Sequence, residues 1–387
     1  MLNFTYYNPT TVYFGEGQIR VLSKEIKKYG SKVLLVYGGG SIKKNGIYDN
    51  VLKMFKKNDI RFWELSGVQP NPRIQSVRDG VKICKENNID IILAVGAGSV
   101  LDCSKVIAAG YYYEGDVWDL VIRKAKVINA LPLGTIITLA ATGSEVDAGA
   151  VITNPDTKDK LALAHPTMIP KFSILDPTYT FTVPKNQTAA GAADIMSHVM
   201  ETYFNRPREA SLQNRISEVL LKTCIKYAPI ALEEPENYEA RANLMWASSN
   251  AMNGNIGAGK ERNWVVHPME HELSAYYDIT HGVGLAILTP YWMEYSLNDE
   301  TIDYFVEYGV NVWNLEPSED KYEVAKKSID LTKEFFISIG LPTKLSEVGI
   351  ERKKFEAMAK GSVRYGKIGS IRPLDEQDVL NILNMAF

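Results

Sequence analysis

Through the first half of the chain, short unbroken apolar runs alternate with segments whose apolar residues recur every three or four positions. SKVLLVYGGGS carries an apolar run, residues 33–36, into a glycine turn, and IDIILAVGAGS repeats that arrangement further on. IRFWEL reads as a strand between them. Residues 47–55 have helical spacing, and IQSVRDGVKICKENN puts Ile74, Val77, Val81 and Cys84 on one helical face. VLDCSKVIAAG reads as the helix after the third strand. Continuous apolar strands interleaved with helices predict a parallel sheet covered on both faces. After Pro184 the strand signal stops. GAADIMSHVMETYF and SLQNRISEVLLKTCIKYAPIAL are helical, the second with Ile216, Val219, Leu220, Cys224 and Tyr227 at helical spacing. The expected organisation is therefore an α/β domain over residues 1–184 and a helical domain over residues 185–387, without repeats or low-complexity linkers.

Composition narrows this picture. A chain of 387 residues, 45% hydrophobic and 23% charged, builds two ordinary globular cores. A net charge of -3 argues against nucleic acid or an anionic membrane as the main partner. The N-terminus has no basic region followed by an apolar core, and no apolar run is long enough to span a bilayer. Three scattered cysteines, Cys84, Cys103 and Cys224, form no CxxC. That spacing suggests neither a disulfide framework nor a thiolate zinc site, and reduced thiols in a cytoplasm are expected. Any metal must then be held by His, Asp or Glu.

Two features carry candidate chemistry. Gly38, Gly39, Gly40 and Ser41 follow one strand, and Gly96, Ala97, Gly98 and Ser99 follow another, with Asp102 one turn into the next helix. Such loops serve as tight turns, or they let a backbone approach an anion at a helix N-terminus. Two of them in one domain suggest a dinucleotide pyrophosphate, although GxGxxG itself is absent. The second feature is the histidines. Of five, His267, His271 and His281 fall within HPMEHELSAYYDITHG, where Glu270 and Glu272 flank His271. Pro268 suits the first turn of a helix, which puts His267 at its start and His281 beyond its end. Asp194 and His198 lie four apart on another helix. Alone, that pair reads as a helical ion pair; with His267 and His281 it completes four metal ligands, leaving His271 as an acid–base group. His165 is isolated and reads as structural.

The chain resembles the iron-containing (group III) alcohol dehydrogenases over nearly its whole length, most of all their bacterial butanol dehydrogenase branch. VYFGEG, GGGSIKKNG, the Asn71-Pro72 pair, GAGSVLDCSK, TLAATGSE, GAADIMSHVMETYF and HPMEHELSAYYDITHGVGLAI occur in family order, and the last two are highly specific. The resemblance implies a dehydroquinate synthase-like architecture: a Rossmann-like dinucleotide-binding α/β domain, an all-α C-terminal domain, and an active site in the cleft between. It implies that Asp194, His198, His267 and His281 hold a divalent metal, with Fe²⁺ favoured over Zn²⁺, and that His271 lies beside the nicotinamide. It implies that Gly38, Gly39, Ser41, Asn71, Gly96, Gly98, Ser99, Asp102, Thr138, Thr142, Lys160 and Tyr179 line the cofactor site. Ala97 departs from the family, which usually has a third glycine there.

The expected reaction is hydride transfer between NAD(P)H and short-to-medium aliphatic aldehydes, with the metal as Lewis acid. No acid sits in GGGSIKKNG to bind a ribose 2′-hydroxyl, while Ser41, Lys43 and Lys44 suit a phosphate, so the sequence leans to NADP over NAD. Trp264, Val265 and residues 252–256 are candidates to line the cleft or to pack helices. A polyol-phosphate dehydrogenase or dehydroquinate synthase-like enzyme needs a cationic set that the segments around His198 and His267 do not supply, Arg262 apart. A metal-dependent hydrolase leaves the glycine loops unused, and a non-catalytic nucleotide-binding protein leaves the histidines unused. From the family, FTYYNPTTVYFGEG resembles a strand that pairs across a homodimer.

Overall fold

A computed structural model describes all 387 residues, Met1–Phe387. In chain order the first part contains β1 (Thr11–Phe14), α1 (Leu22–Lys27), β2 (Lys32–Tyr37), α2 (Ser41–Lys44), α3 (Ile47–Lys57), β3 (Arg61–Leu65), α4 (Ile74–Asn87), β4 (Ile91–Gly96), α5 (Gly98–Gly110) and α6 (Trp118–Val121). Four strands follow: β5 (Leu133–Ile137), β6 (Gly149–Asn154), β7 (Asp159–Ala164) and β8 (Phe172–Leu175). The rest is helical: α7 (Lys185–Tyr203), α8 (Ser211–Glu233), α9 (Tyr238–Met252), α10 (Val266–Tyr277), α11 (His281–Ser296), α12 (Ile302–Trp313), α13 (Lys321–Ser338), α14 (Phe355–Ser362) and α15 (Glu376–Met385).

Six strands form one parallel sheet in the order β1-β8-β5-β4-β2-β3, and β6 and β7 form a separate antiparallel hairpin. Alternate residues of β2 and β4 feed two cores. Leu34, Val36, Ile92 and Ala94 pack with α4 and α5, while Val33, Leu35, Ile91 and Leu93 pack with α1 and α3. Burial on both faces is why these strands read as unbroken apolar runs. From β2 the chain moves outward to β3, and from β4 it moves the other way to β5. The neighbours β2 and β4 therefore flank the point where strand order reverses, the place where open α/β sheets bind ligands.

The chain forms two compact units. They are not the contiguous halves expected. Pro235–Asn253, which contains α9, belongs with Tyr7–Val183. Ser249 Oγ donates to the buried Glu145 at 2.5 Å, the Gly143 N–H donates to Ser248 Oγ, and Trp246 meets Phe14 edge-on. Conversely, Met1–Tyr6 belongs with the helical unit, where the Leu2 N–H donates to the Gly259 carbonyl. The strand of the N-terminal segment, β1, pairs with β8 and forms the edge of the six-stranded sheet.

In the helical unit α7 packs against α8 and α11, and α10 packs against α11 and α14. Nearly every α7 side chain from Thr188 to Glu201 is buried. The small residues Ala189, Ala190, Ala192 and Ala193 let neighbours come close. A Cβ on Gly282 would overlap the Ala190 carbonyl, so α11 rests backbone to backbone on α7.

Candidate metal centre and nucleotide cradle

On α7, Asp194, His198 and Glu201 follow at spacings of four and three and share one buried face. Helix α10 begins beside them. Its N-cap, Val265, has no side chain to satisfy the first N–H groups. Glu201 supplies that acceptor from α7: one carboxylate oxygen takes the Val265 N–H at 2.5 Å and the Val266 N–H at 2.7 Å. The other oxygen bonds His267 Nδ1. His281 is not in the exit turn of α10 but is the first residue of α11. Its Nδ1 bonds Glu270 of α10, which also accepts from Ser274 Oγ.

With both Nδ1 atoms occupied, the Nε2 atoms of His267 and His281 face Asp194 Oδ1, each at 3.8 Å. His198 Nδ1 approaches the same oxygen at 3.4 Å. Asp194 Oδ1, His198 Nδ1 and His267 Nε2 are buried and have no hydrogen-bond partner. Their separations exceed hydrogen-bond length, yet ligands about 2.1 Å from a tetrahedral ion stand ~3.4 Å apart. The donor set therefore fits a divalent cation. Atoms of Asp194, His267 and His281 all lie within 4.8 Å of one another, and His198 joins from the Asp194 side. Glu270, His271 and His281 form a second such group, but Glu270 is already committed to His281 and Ser274.

The electrostatics agree. Burial would raise the Asp194 carboxyl, but His198, His281 and His267 hold it down at about 2. Burial lowers the His198 imidazole to about 4 against the pull of Asp194. Burial also opposes charge on His267, but Glu201 and Asp194 outweigh it and raise the group to about 9. His271 is half-buried, its ring 5.7 Å from that of His281 and 6.3 Å from that of His267. The exposed Trp264 ring lies 4.9 Å from that of His267 and 5.7 Å from that of His198. His165 caps a short turn through Thr167.

In the α/β unit, Gly38, Gly39 and Ser41 follow β2, Gly96 ends β4, and Gly98 and Ser99 open α5. Gly40 has φ +100°, a conformation that favours glycine. A Cβ on Gly98 would strike Thr142, so loop and threonine are in close contact. Helix α5 runs for 13 residues with no side-chain cap, which fits an anion such as pyrophosphate at its N-terminus. The Thr138 N–H donates to the Gly96 carbonyl, placing the end of β5 beside the loop. Asn71, buried at φ +52°, is drawn towards the hairpin of Lys160, because Thr153 bonds Pro72 and stands opposite Lys160. Tyr179 follows β8 and packs on the core that contains Tyr37.

Asp102 is a strut: its carboxylate accepts from Ser144 Oγ at 2.7 Å and from the Val151 N–H at 2.9 Å. Sequence reasoning assigned no role to Glu201, Glu270, Lys105 or Glu64. Glu201 had a signal, since it lies seven residues after Asp194 on the same helical face. Glu64 changes the charge around the first glycine turn. The Tyr37 and Tyr48 hydroxyls both donate to it, at 3.0 and 2.8 Å, and Lys43 Nζ lies over both rings.

The chain is similar to known proteins over its whole length. Residues 9–177 match the family model described as iron-containing alcohol dehydrogenase, and residues 188–387 match the model for that family's C-terminal part. The chain is 60% identical over 389 residues to an NADH-dependent butanol dehydrogenase A of Clostridium acetobutylicum, covering all of both chains. It is 40% identical to an NADPH-dependent aldehyde reductase of Escherichia coli, over 95% of this chain and 94% of that one. A crystal structure of an NADH-dependent butanol dehydrogenase A from Thermotoga maritima superposes with a TM-score of 0.96 at 39% identity, covering 100% of this chain and 99% of that one.

Proposed function

The chain belongs to the iron-containing alcohol dehydrogenase family, and we propose that it interconverts short- to medium-chain aliphatic aldehydes and alcohols, butanal and butanol among them. It is an alcohol dehydrogenase or aldehyde reductase that uses NAD(P)H and acts on the CH–OH group. One observation carries the site assignment: partnerless buried atoms of Asp194, His198 and His267 converge beside His281 Nε2. These four residues would hold the divalent ion, Fe²⁺ by family. When bound, the ion supplies Lewis acidity to a carbonyl oxygen and the reduced nicotinamide supplies hydride.

The chain's own residues do the rest. His271, half-buried and next to His281, holds a proton on its imidazole and passes it towards the substrate oxygen. Trp264 offers an apolar wall against the histidines, which suits an alkyl chain. Lys260 donates to the Thr202 and Tyr203 carbonyls and Arg364 pairs with Glu272, so both cations are committed elsewhere, which supports an unphosphorylated substrate. The glycine turns after β2 and β4, with the α5 N-terminus, cradle the nucleotide phosphates.

For the nucleotide we favour NADH, in place of the lean to NADP drawn from the sequence. Lys43 is balanced by Glu64 through the two tyrosines, so it does not count as a free phosphate partner. NADH is also the nucleotide named for the 60%-identical Clostridium acetobutylicum relative. We further propose a homodimer, a reading supported by the β1 sheet edge and the exposed Phe4, Tyr6 and Tyr7, and a cytoplasmic location. No helix is long and apolar enough to cross a membrane.

The test is reduced-nicotinamide absorbance with butanal, in protein loaded anaerobically with Fe²⁺, with NADH and NADPH in parallel and chelated protein as control. Metal-dependent loss of NADH absorbance supports the reading. No turnover of any short aldehyde or alcohol, with ion and nucleotide both bound, contradicts it.

A further inference from the structure

We propose that Glu201 and Glu270 are positioning residues that fix which nitrogen of His267 and His281 faces the ion, with Glu201 the dominant partner. The inference rests on the metal centre proposed above. Both carboxylates are buried, Glu270 completely, and each spends one oxygen on a histidine Nδ1. A carboxylate accepts, so each Nδ1 carries the hydrogen and each Nε2 is left with its lone pair. Those two lone pairs, with Asp194 Oδ1, are acceptors turned towards one another at 3.8 Å. Three acceptors facing one point repel unless a cation lies between them, so the carboxylates define the site even though neither touches it. His198 has no such partner and presents Nδ1 instead.

The two carboxylates differ in freedom. The second oxygen of Glu201 is held by the Val265 and Val266 N–H groups at the start of α10. Backbone N–H groups only donate, so this oxygen must remain an acceptor. One side chain thus fixes the helix start and the ring of its second residue together. The second oxygen of Glu270 faces Ser274 Oγ, a hydroxyl that either donates or accepts.

This difference predicts how the amides behave. In Glu201→Gln the amide oxygen must stay on the α10 N–H groups. The amide NH₂ then faces His267 Nδ1 and selects the tautomer that carries its proton on Nε2, pointing at Asp194. In Glu270→Gln the Ser274 hydroxyl can reverse, so the amide oxygen can stay on His281. The measurement is Co²⁺ affinity by chelator competition, together with the Co²⁺ ligand-field absorption spectrum, in the full chain. Glu201→Gln is expected to weaken binding by about 10- to 100-fold, the usual loss for an outer-shell partner, and to shift the spectrum. Glu270→Gln is expected to lose less.

Asp194→Asn separates the two layers of the argument. If it binds Co²⁺ like the parent, the metal centre itself is misplaced. If it loses the ion while Glu201→Gln keeps parental affinity and spectrum, the positioning proposal is overturned. Should Glu201→Gln fail to fold, Glu270→Leu carries the test. It removes the acceptor of His281 Nδ1 without touching the α10 terminus and should also lose about 10- to 100-fold; parental affinity there overturns the proposal.

Discussion

Replacing Gly282 with alanine sets two effects of opposite sign against each other. Gly282 is the second residue of α11, and alanine in a helix is worth up to about 1 kcal/mol over glycine. However, the new Cβ would overlap the carbonyl oxygen, carbonyl carbon and Cα of Ala190 in α7. The obstacle is backbone in the middle of a buried helix, and it cannot rotate aside. Overpacking costs roughly 1–3 kcal/mol where side chains can adjust, and the upper end applies when they cannot. The net expectation is a destabilisation of about 2–3 kcal/mol. Because α7 carries Asp194 and α11 begins with His281, separating the helices also opens the 3.8 Å gap between them and weakens metal binding. Gly309 in α12 is the control. A Cβ there meets side-chain atoms of Ser328, Leu315 and Val324 at 3.1–3.2 Å, which can yield, so Gly309→Ala should stay within about 0.5 kcal/mol of the parent. The assay is urea unfolding of metal-free protein, followed by Co²⁺ titration. If Gly282→Ala is as stable as Gly309→Ala and binds Co²⁺ like the parent, the reasoning about the α7–α11 contact fails.

Other consequences are open to direct measurement. Burial, partly opposed by Lys105, Ser144 and the Val151 N–H, lifts the Asp102 carboxyl to about 6. Its folded pKa thus lies above the unfolded value near ~3.9, so its favourable contribution is full below about pH 4 and is lost as pH rises through 6. Asp102→Asn should remove this slope, worth at most ~3 kcal/mol, in urea unfolding followed across that range; an unchanged slope rejects the assignment. The fully buried Lys105 side chain pairs with Asp147 at 2.5 Å and donates to the Gly149 carbonyl at 2.7 Å. Lys105→Met leaves Asp147 unpaired and should cost about 3–5 kcal/mol; a loss under 1 kcal/mol by the same assay would show the pair to be dispensable. Gly98→Ala drives a Cβ into Thr142 and should weaken NADH binding, read by fluorescence titration, on the order of tenfold, or ~1.4 kcal/mol; parental affinity would remove the loop from the cradle.

What was legible in the sequence follows from the range over which each signal acts. The β2 and β4 strands declare themselves because both faces are buried. Short β5 and β8, Leu133–Ile137 and Phe172–Leu175, are apolar runs of a length that no periodicity can assign. The place of α9 in the α/β unit rests on the Ser249–Glu145 hydrogen bond across 104 residues, which local pattern does not reveal. The histidines stood out because they are scarce. Glu201 did not, and Glu270 was noted only as a neighbour of His271, because a glutamate is ordinary until a fold puts it against an imidazole, and Glu201 meets His267 across 66 residues. Glu64 was hidden for the same reason: it lies 27 residues from Tyr37 in sequence and one hydrogen bond away in the fold.

The central claim is that Asp194 and three histidines hold the ion that makes this chain a dehydrogenase. Its most direct test is a titration of Fe²⁺ into chelated protein under anaerobic conditions, following butanal-dependent NADH oxidation in the parent, in Asp194→Ala and in His165→Ala. The account predicts that activity climbs to a plateau at about one ion per chain in the parent and in His165→Ala. It predicts a flat line in Asp194→Ala, with NADH still bound. Full activity in chelated parent protein, or a parental titration in Asp194→Ala, would contradict it.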